Sequence, residues 1–252
     1  MNKSFLKINI FAVFISVLSA CSSFNQSESF DNENPFFVSN EDIIADFRKG
    51  ETGSFYSADG YSNGDPFDCA WSRNAIAIKD QELSIKLYEE NDKIYGGEYR
   101  SMSRDFHYGY YATRMKPADC SGVISSFFTY TYSPAWDEID IEFLGKDMTS
   151  VQFNYYTKGV GGHEFVYKLS FDASKEFHEY GFEWLPDSIT WYVDGNKVHR
   201  ATENIPTEPQ SLMMNLWNCK GKNNWSGTFD KSKLPVQSHY EFIAYIPAES
   251  AD

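Results

Sequence analysis

Basic residues, histidine and cysteine are all scarce in this chain of 252 residues. Its 22 Lys and Arg face 36 Asp and Glu, a formal net charge of −14, and there are only five His and four Cys. The shortage of positive charge excludes nucleic acid as a partner, because a phosphate backbone needs a Lys/Arg footprint and none is visible. His107, His163, His178, His199 and His239 are scattered, and Cys69, Cys120 and Cys219 match no zinc spacing, which argues against a metal cluster. No internal repeat is present, so propellers and solenoids are excluded. No long stretch keeps a 3.6-residue apolar period, so little helix is expected. Aromatic residues, in contrast, are abundant: 17 Tyr, 21 Phe and 6 Trp. With 42% hydrophobic residues the chain can bury a core. The aromatic excess fits β-rich packing and also offers flat platforms for a ligand such as a sugar.

The N-terminus reads as a targeting segment. Lys3 and Lys7 precede an apolar run over residues 8–18, and Leu18-Ser19-Ala20-Cys21 follows. That is the order of a secretory signal, and the run is too short for the roughly 20 residues of a bilayer span. Leu-Ser-Ala-Cys resembles the bacterial lipobox, whose Cys becomes the lipidated first residue. The expected organisation is a signal over residues 1–20, a lipidated Cys21 with a flexible tether over 21–34, and one domain over 35–252. The implied location is an exported lipoprotein anchored to a membrane, periplasmic or on the cell surface. In such a compartment Cys69, Cys120 and Cys219 allow at most one disulfide and leave one thiol over.

From Phe36 onward, short aromatic and β-branched runs alternate with Gly, Asn, Asp and Pro at the spacing of an all-β sandwich or barrel. Strands are predicted near 83–88, 108–115, 123–131, 138–143, 150–157, 165–170, 178–184, 189–193, 212–217 and 240–245. Asp194-Gly195-Asn196 marks a hairpin between 189–193 and 197–199.

One segment carries chemistry. In Trp136-Asp137-Glu138-Ile139-Asp140-Ile141-Glu142-Phe143 the alternation places Glu138, Asp140 and Glu142 on one strand face, with Trp136, and Ile139, Ile141 and Phe143 on the other. Three carboxylates in a row without an interleaved cation repel one another. Calcium wants six to eight oxygens from a flexible set, which a stiff strand does not supply. Glycoside hydrolysis wants two carboxyls flanking one bond, roughly 5–5.5 Å apart for retention and roughly 6.5–9.5 Å for inversion. The Cα atoms of Glu138 and Glu142 would lie about 13 Å apart, a gap that long side chains leaning inward can close, so the spacing permits a dyad without settling its stereochemistry. A central Asp140 can share a proton with the nucleophile and help keep the acid protonated. In 150–157, Gln152, Asn154 and Tyr156 form a polar row to lie beside the acidic one.

These residues also resemble a known family. Residues 136–147 (WDEIDIEFLGKD), running into 151–164 (VQFNYYTKGVGGHE), resemble the active strand of glycoside hydrolase family 16 and its neighbour, in the lichenase branch. The likeness extends to ADGYSNG (58–64), RMKPA (114–118), SSFFTYT (125–131), FDASKEFHEYGFEW (171–184), WYVDG (191–195) and MMNLWN (213–218). It implies a β-jelly roll of two curved antiparallel sheets with a concave cleft, and an endo-acting, retaining hydrolase of mixed-linkage β-1,3-1,4-glucan. By motif, Glu138 is implied as nucleophile, Asp140 as assisting carboxylate and Glu142 as acid/base. Implied sugar contacts are Tyr61, Asn63, Glu98, Arg100, Phe128, Tyr130, Trp136, Asn154, Tyr156, Asn215, Trp217 and Trp225. No cofactor is implied for catalysis. Glu241 stands where an Asp calcium ligand is common in the family, which leaves structural calcium open. Gly96 replaces the Cys that would pair with Cys69, and a bond between Cys120 and Cys219 is left open. The expected partners are a β-glucan and, through Cys21, a membrane, with the chain acting as a monomer. A single residue, Ile141, between Asp140 and Glu142 favours the lichenase or xyloglucan-active branch over laminarinases. A non-catalytic glucan-binding lipoprotein on the same fold is the alternative, although binding gains nothing from clustered charge.

Overall fold

The computed structural model describes residues 38–249, so the signal, Cys21 and the tether fall outside the described residues. Sixteen strands account for most of what is described: β1 (Ile43–Asp46), β2 (Phe55–Ser57), β3 (Ala70–Trp71), β4 (Ile76–Lys79), β5 (Glu82–Glu90), β6 (Lys93–Ser101), β7 (Gly109–Lys116), β8 (Val123–Thr131), β9 (Asp137–Leu144), β10 (Ser150–Tyr156), β11 (Phe165–Lys168), β12 (His178–Leu185), β13 (Ser188–Val193), β14 (Asn196–Ala201), β15 (Ser211–Asn218) and β16 (Val236–Pro247). Among the described residues the only α-helix is the single turn Asn223–Ser226.

The strands pair in the order β11-β10-β9-β8-β15-β6-β5-β16-β7-β12-β13-β14, with β1, β2 and β4 added at β16, β6 and β5. All of these pairings are antiparallel, apart from the short parallel contact of β3 with β6. The path bends where β5 and β6 pair only next to their hairpin, at Tyr88↔Tyr95, Glu89↔Ile94 and Glu90↔Lys93. The sheet therefore curves into a near-barrel whose front half (β11 to β6) faces its back half (β5 to β14). Apolar residues at alternate positions fill the gap between them. Ile139, Ile141 and Phe143 of β9 meet Tyr180, Phe182 and Trp184 of β12 and Leu83, Ile85 and Leu87 of β5 in one core, all fully buried. Polar links cross it as well: Trp191 Nε1 donates to the Asp140 carbonyl at 3.1 Å, and the Tyr240 hydroxyl donates to the Ser126 carbonyl at 3.0 Å.

The jelly-roll expectation holds, and the predicted hairpin joins β13 to β14 with Asp194 and Gly195 both at positive φ (46° and 76°). One central strand was not predicted. β6 contains Gly96-Gly97, which reads locally as a breaker, yet both glycines answer a packing need. A Cβ on Gly97 would come within 2.6 Å of Ile85 Cγ2, and one on Gly96 within 2.5 Å of the Leu216 carbonyl oxygen. Cys69, Cys120 and Cys219 are all buried free thiols.

Candidate active site

The register of the front sheet assembles the site. Opposite Asp140 stand Asn154 on β10 and Phe128 on β8, and the row continues through Met213 on β15 and Arg100 on β6 to Tyr56 on β2. Parallel rows run Gln152–Glu142–Ser126–Asn215–Glu98 and Tyr156–Glu138–Tyr130–Ser211. Directly opposed residues point to the same face, so these side chains share the outer face of the front sheet. The expected catalytic trio and nine of the expected contacts, Glu98, Arg100, Phe128, Tyr130, Asn154, Tyr156, Asn215, Trp136 and Trp217, belong to this face by register or alternation. The opposite side of the strand start is fixed by Asp137, which is fully buried and accepts the backbone N–H groups of Lys158 (2.7 Å), Thr207 (2.9 Å) and Glu208 (3.1 Å).

Burial pushes all three carboxyls upward, and their hydrogen bonds distinguish them. Burial raises Glu138 to about 7, against which the Trp136 indole N–H (2.6 Å to Oε2) and a hydrogen bond from Asp140 favour its charged form. Asp140 lies well above the usual carboxylate range, through burial first and then the charges of Glu138 and Glu142. The bond they share lowers Glu138 and raises Asp140, which places the proton on Asp140. Burial and the Glu138 charge lift Glu142 to about 8. Opposing this, Gln152 Nε2 donates to Glu142 Oε2 at 2.9 Å, and Gln152 Oε1 in turn accepts from Trp225 Nε1 at 3.0 Å. The indole bond leaves only the amide nitrogen of Gln152 free to face Glu142. Gln152 was read as part of a polar row but not as a site residue. Its facing position to Glu142 is set by register, which one strand's sequence does not carry.

Other expected contacts take more varied places. Trp136, with 37% exposure, stacks on Tyr156 with ring centroids 4.5 Å apart. Glu98 is buried and pushed upward by burial, and it receives Arg100 Nε (2.6 Å) and Asn215 Nδ2 (3.4 Å). The guanidinium of Arg100 lies 5.9 Å from the Tyr61 ring centroid. Asn63 uses its Oδ1 to accept from Trp71 Nε1 at 3.0 Å, so it braces its loop. Trp217 is 4% exposed, stacked on Phe67 (4.0 Å) and tilted against Trp225 (6.1 Å), which makes it part of the floor. The acceptor oxygens of Asn154 and Asn215 are buried without a partner.

Glu241 is committed to Arg114 at 2.6 Å. Among the described residues no group of three or more His, Cys, Asp or Glu is arranged to hold a metal ion.

The profile of the glycosyl hydrolases family 16 matches residues 63–234. The chain is 49% identical over 199 residues to a beta-glucanase of Paenibacillus polymyxa, covering 77% of this chain and 83% of that protein. It is 46% identical over 216 residues to a xylanase/beta-glucanase of Ruminococcus flavefaciens, covering 81% of this chain but spanning only 27% of that protein's length. Among solved structures, a prokaryotic beta-1,3-1,4-glucanase (lichenase) from a mouse hindgut metagenome superposes with a TM-score of 0.74 at 41% identity, covering 86% of this chain and 97% of that one. A curved antiparallel sheet, three carboxyls on one strand face, and similarity of this extent over most of the described residues lead to one assignment: the chain belongs to glycosyl hydrolase family 16.

Proposed function

We propose that this chain is an endo-acting, retaining hydrolase of mixed-linkage β-1,3-1,4-glucan. The observation that carries the reading is the division of labour on β9. Burial raises both glutamates, Glu138 to about 7 and Glu142 to about 8, but the Trp136 N–H and the Asp140 proton favour the anionic form of Glu138 and leave Glu142 the readier to keep its proton. In the first step a Glu138 oxygen bonds to the anomeric carbon as the glycosidic C–O bond breaks, and the Glu142 proton passes to the leaving oxygen. In the second, Glu142 takes a proton from water, whose oxygen attacks the same carbon and releases Glu138. The stack of Trp136 on Tyr156 offers an aromatic wall for sugar C–H faces beside the nucleophile. The chain is further read as an exported monomer held at a membrane through lipidated Cys21, a reading that detergent-phase partitioning of the mature protein checks.

The test sets the purified protein against barley β-glucan, laminarin, carboxymethyl-cellulose and xyloglucan in parallel. Cleavage confined to the first is expected, with the β-anomer as the first product by NMR; initial α-anomer would overturn retention. Glu138→Ala should abolish turnover, and Glu142→Ala should lower it by about 10²–10⁴-fold. Binding to several glucans with no cleavage of any would favour a lectin-like protein instead.

A further inference from the structure

The front sheet does not stop at the expected contacts. β2 is its edge strand beyond β6, and its three residues divide cleanly between the two faces. Phe55 stacks on Tyr99 in the core (5.5 Å, 13° between planes), which turns Tyr56 to the outer face, directly opposite Arg100. From Asp140 to Tyr56 the row crosses four strand spacings, about 19 Å, which is long enough for several sugar residues.

Three of the exposed large apolar side chains flank Arg100 at this end: Tyr56 (41%), Tyr61 (42%) and Met102 (66%). Met102 lies two residues beyond Arg100 and is tied by its N–H to the Ser54 carbonyl at 2.8 Å. Tyr61 is fixed from behind, because its carbonyl accepts the Trp71 N–H at 2.7 Å. Arg100 binds one oxygen, Glu98 Oε1, through both Nε and Nη2. Its Nη1 edge is left for hydroxyl acceptors. Scattered exposed aromatics need no explanation, but rings gathered around a guanidinium and continuous with a cleft form a binding surface. Tyr rings bury area with little loss of side-chain freedom, and their faces suit sugar C–H groups.

We propose that Tyr56, with Met102, extends the expected contacts Tyr61 and Arg100 outward and offers a face for one more β-linked glucosyl residue of the same chain, far from the bond being cleaved. The proposal rests on the glucanase reading and makes Tyr56 a determinant of how long a glucan the cleft grips. The step it affects is binding, with no change in bonds.

Two measurements separate this proposal from the reading it rests on. Turnover of barley β-glucan is compared with that of an aryl β-glycoside of a β-1,3-linked glucose disaccharide, in wild type, Tyr56→Ala and Tyr56→Phe. Affinity electrophoresis of the same proteins in gels containing barley β-glucan reports binding without requiring cleavage. In Tyr56→Ala the ratio of kcat/KM on polymer to that on the disaccharide should fall about fivefold, and the gel retardation should weaken by a similar factor. Tyr56→Phe, which keeps the ring, should retain both. An unchanged ratio with unchanged retardation, or equal losses on both substrates, would overturn the subsite. Retardation that depends on Tyr56 in a protein that cleaves no glucan would overturn the hydrolase reading and leave the subsite standing.

Discussion

The proton on Asp140 and the amide of Gln152 do opposite things to the two glutamates, and each effect has a sign that can be measured. Asp140 donates to Glu138 and so favours the anionic form of the proposed nucleophile, which burial would otherwise neutralise. Gln152 donates to Glu142 and so resists the burial that keeps the proposed acid protonated. Removing the Gln152 donor therefore raises Glu142 above about 8, and the carboxyl keeps its proton to higher pH. Gln152→Ala should move the alkaline limb of the kcat/KM profile upward while leaving the acid limb, set by Glu138, where it is. A downward or absent shift in that profile would show that Gln152 does not touch the ionisation of the acid. Trp225→Phe, which frees the Gln152 amide to turn, should move the limb the same way by less. At this scale the trio was readable, because strict alternation over 138–142 puts three acids on one face whatever the fold. Gln152 and Trp225 as a linked pair were not, because their partnership depends on β10 lying beside β9 and on Trp225, in the turn Asn223–Ser226, reaching Gln152. The burial of Trp217 was illegible for the same reason: Phe67, the residue stacked on it, is 150 positions away in the chain.

Strands with a two-residue alternation were legible, and those shaped by close approach were not. β8, β9, β10, β12 and β15 announce themselves by pattern, but β6 is interrupted by glycines that only Ile85 and Leu216 explain, and β2 is three residues long. The connection between β10 and β11 shows the same logic next to the site. Thr157 and Val160 pair across it, and the Gly159 N–H donates to the Trp136 carbonyl at 2.7 Å, which ties the turn to the residue before β9. At Gly161 a Cβ would lie 2.4 Å from Cε1 and 2.9 Å from Cδ1 of the Tyr156 ring. Gly161→Ala must therefore displace Tyr156, and with it the Trp136 ring stacked at 4.5 Å whose N–H holds Glu138. The expected result is a kcat/KM on β-glucan lowered by about tenfold, on the order of 1.4 kcal/mol of transition-state stabilisation. The indole emission should change as well, with the thermal midpoint nearly unaffected because the loop is at the surface. Retained activity with an unchanged emission spectrum would mean that the turn absorbs the methyl without moving the stack.

For the whole molecule, acidity separates into a solvated surface and a small buried part that opposes folding. Most of the 36 acidic side chains cost little, since exposed charge is hydrated and screened. The trio is different, because three carboxyls clustered on one sheet face lose water and repel each other. Linkage gives the consequence its sign. Glu142 titrates near 4.5 ordinarily and near 8 in the fold, so between those values the folded chain keeps a proton that the unfolded chain has released. The native state binds more protons than the unfolded state across this window, and stability falls as pH rises through it. Glu142→Gln removes that titration while keeping the side chain's size and a group that can face Gln152. The variant should match the wild type in thermal stability near pH 4, where Glu142 is protonated in both states, and exceed it progressively up to about pH 9. Partial exposure screens much of the full effect, which leaves a gain on the order of 1 kcal/mol, about 2–4 °C in Tm for a domain of this size. The same substitution removes the proposed proton donor, so the stabilised protein should be inactive or nearly so. Scanning calorimetry of both proteins at pH 4 and pH 9 decides the matter. A Glu142→Gln advantage that is equal at the two pH values would mean that the fold accommodates the acid without strain, and the elevated proton affinity on which its role as acid depends would be lost with it.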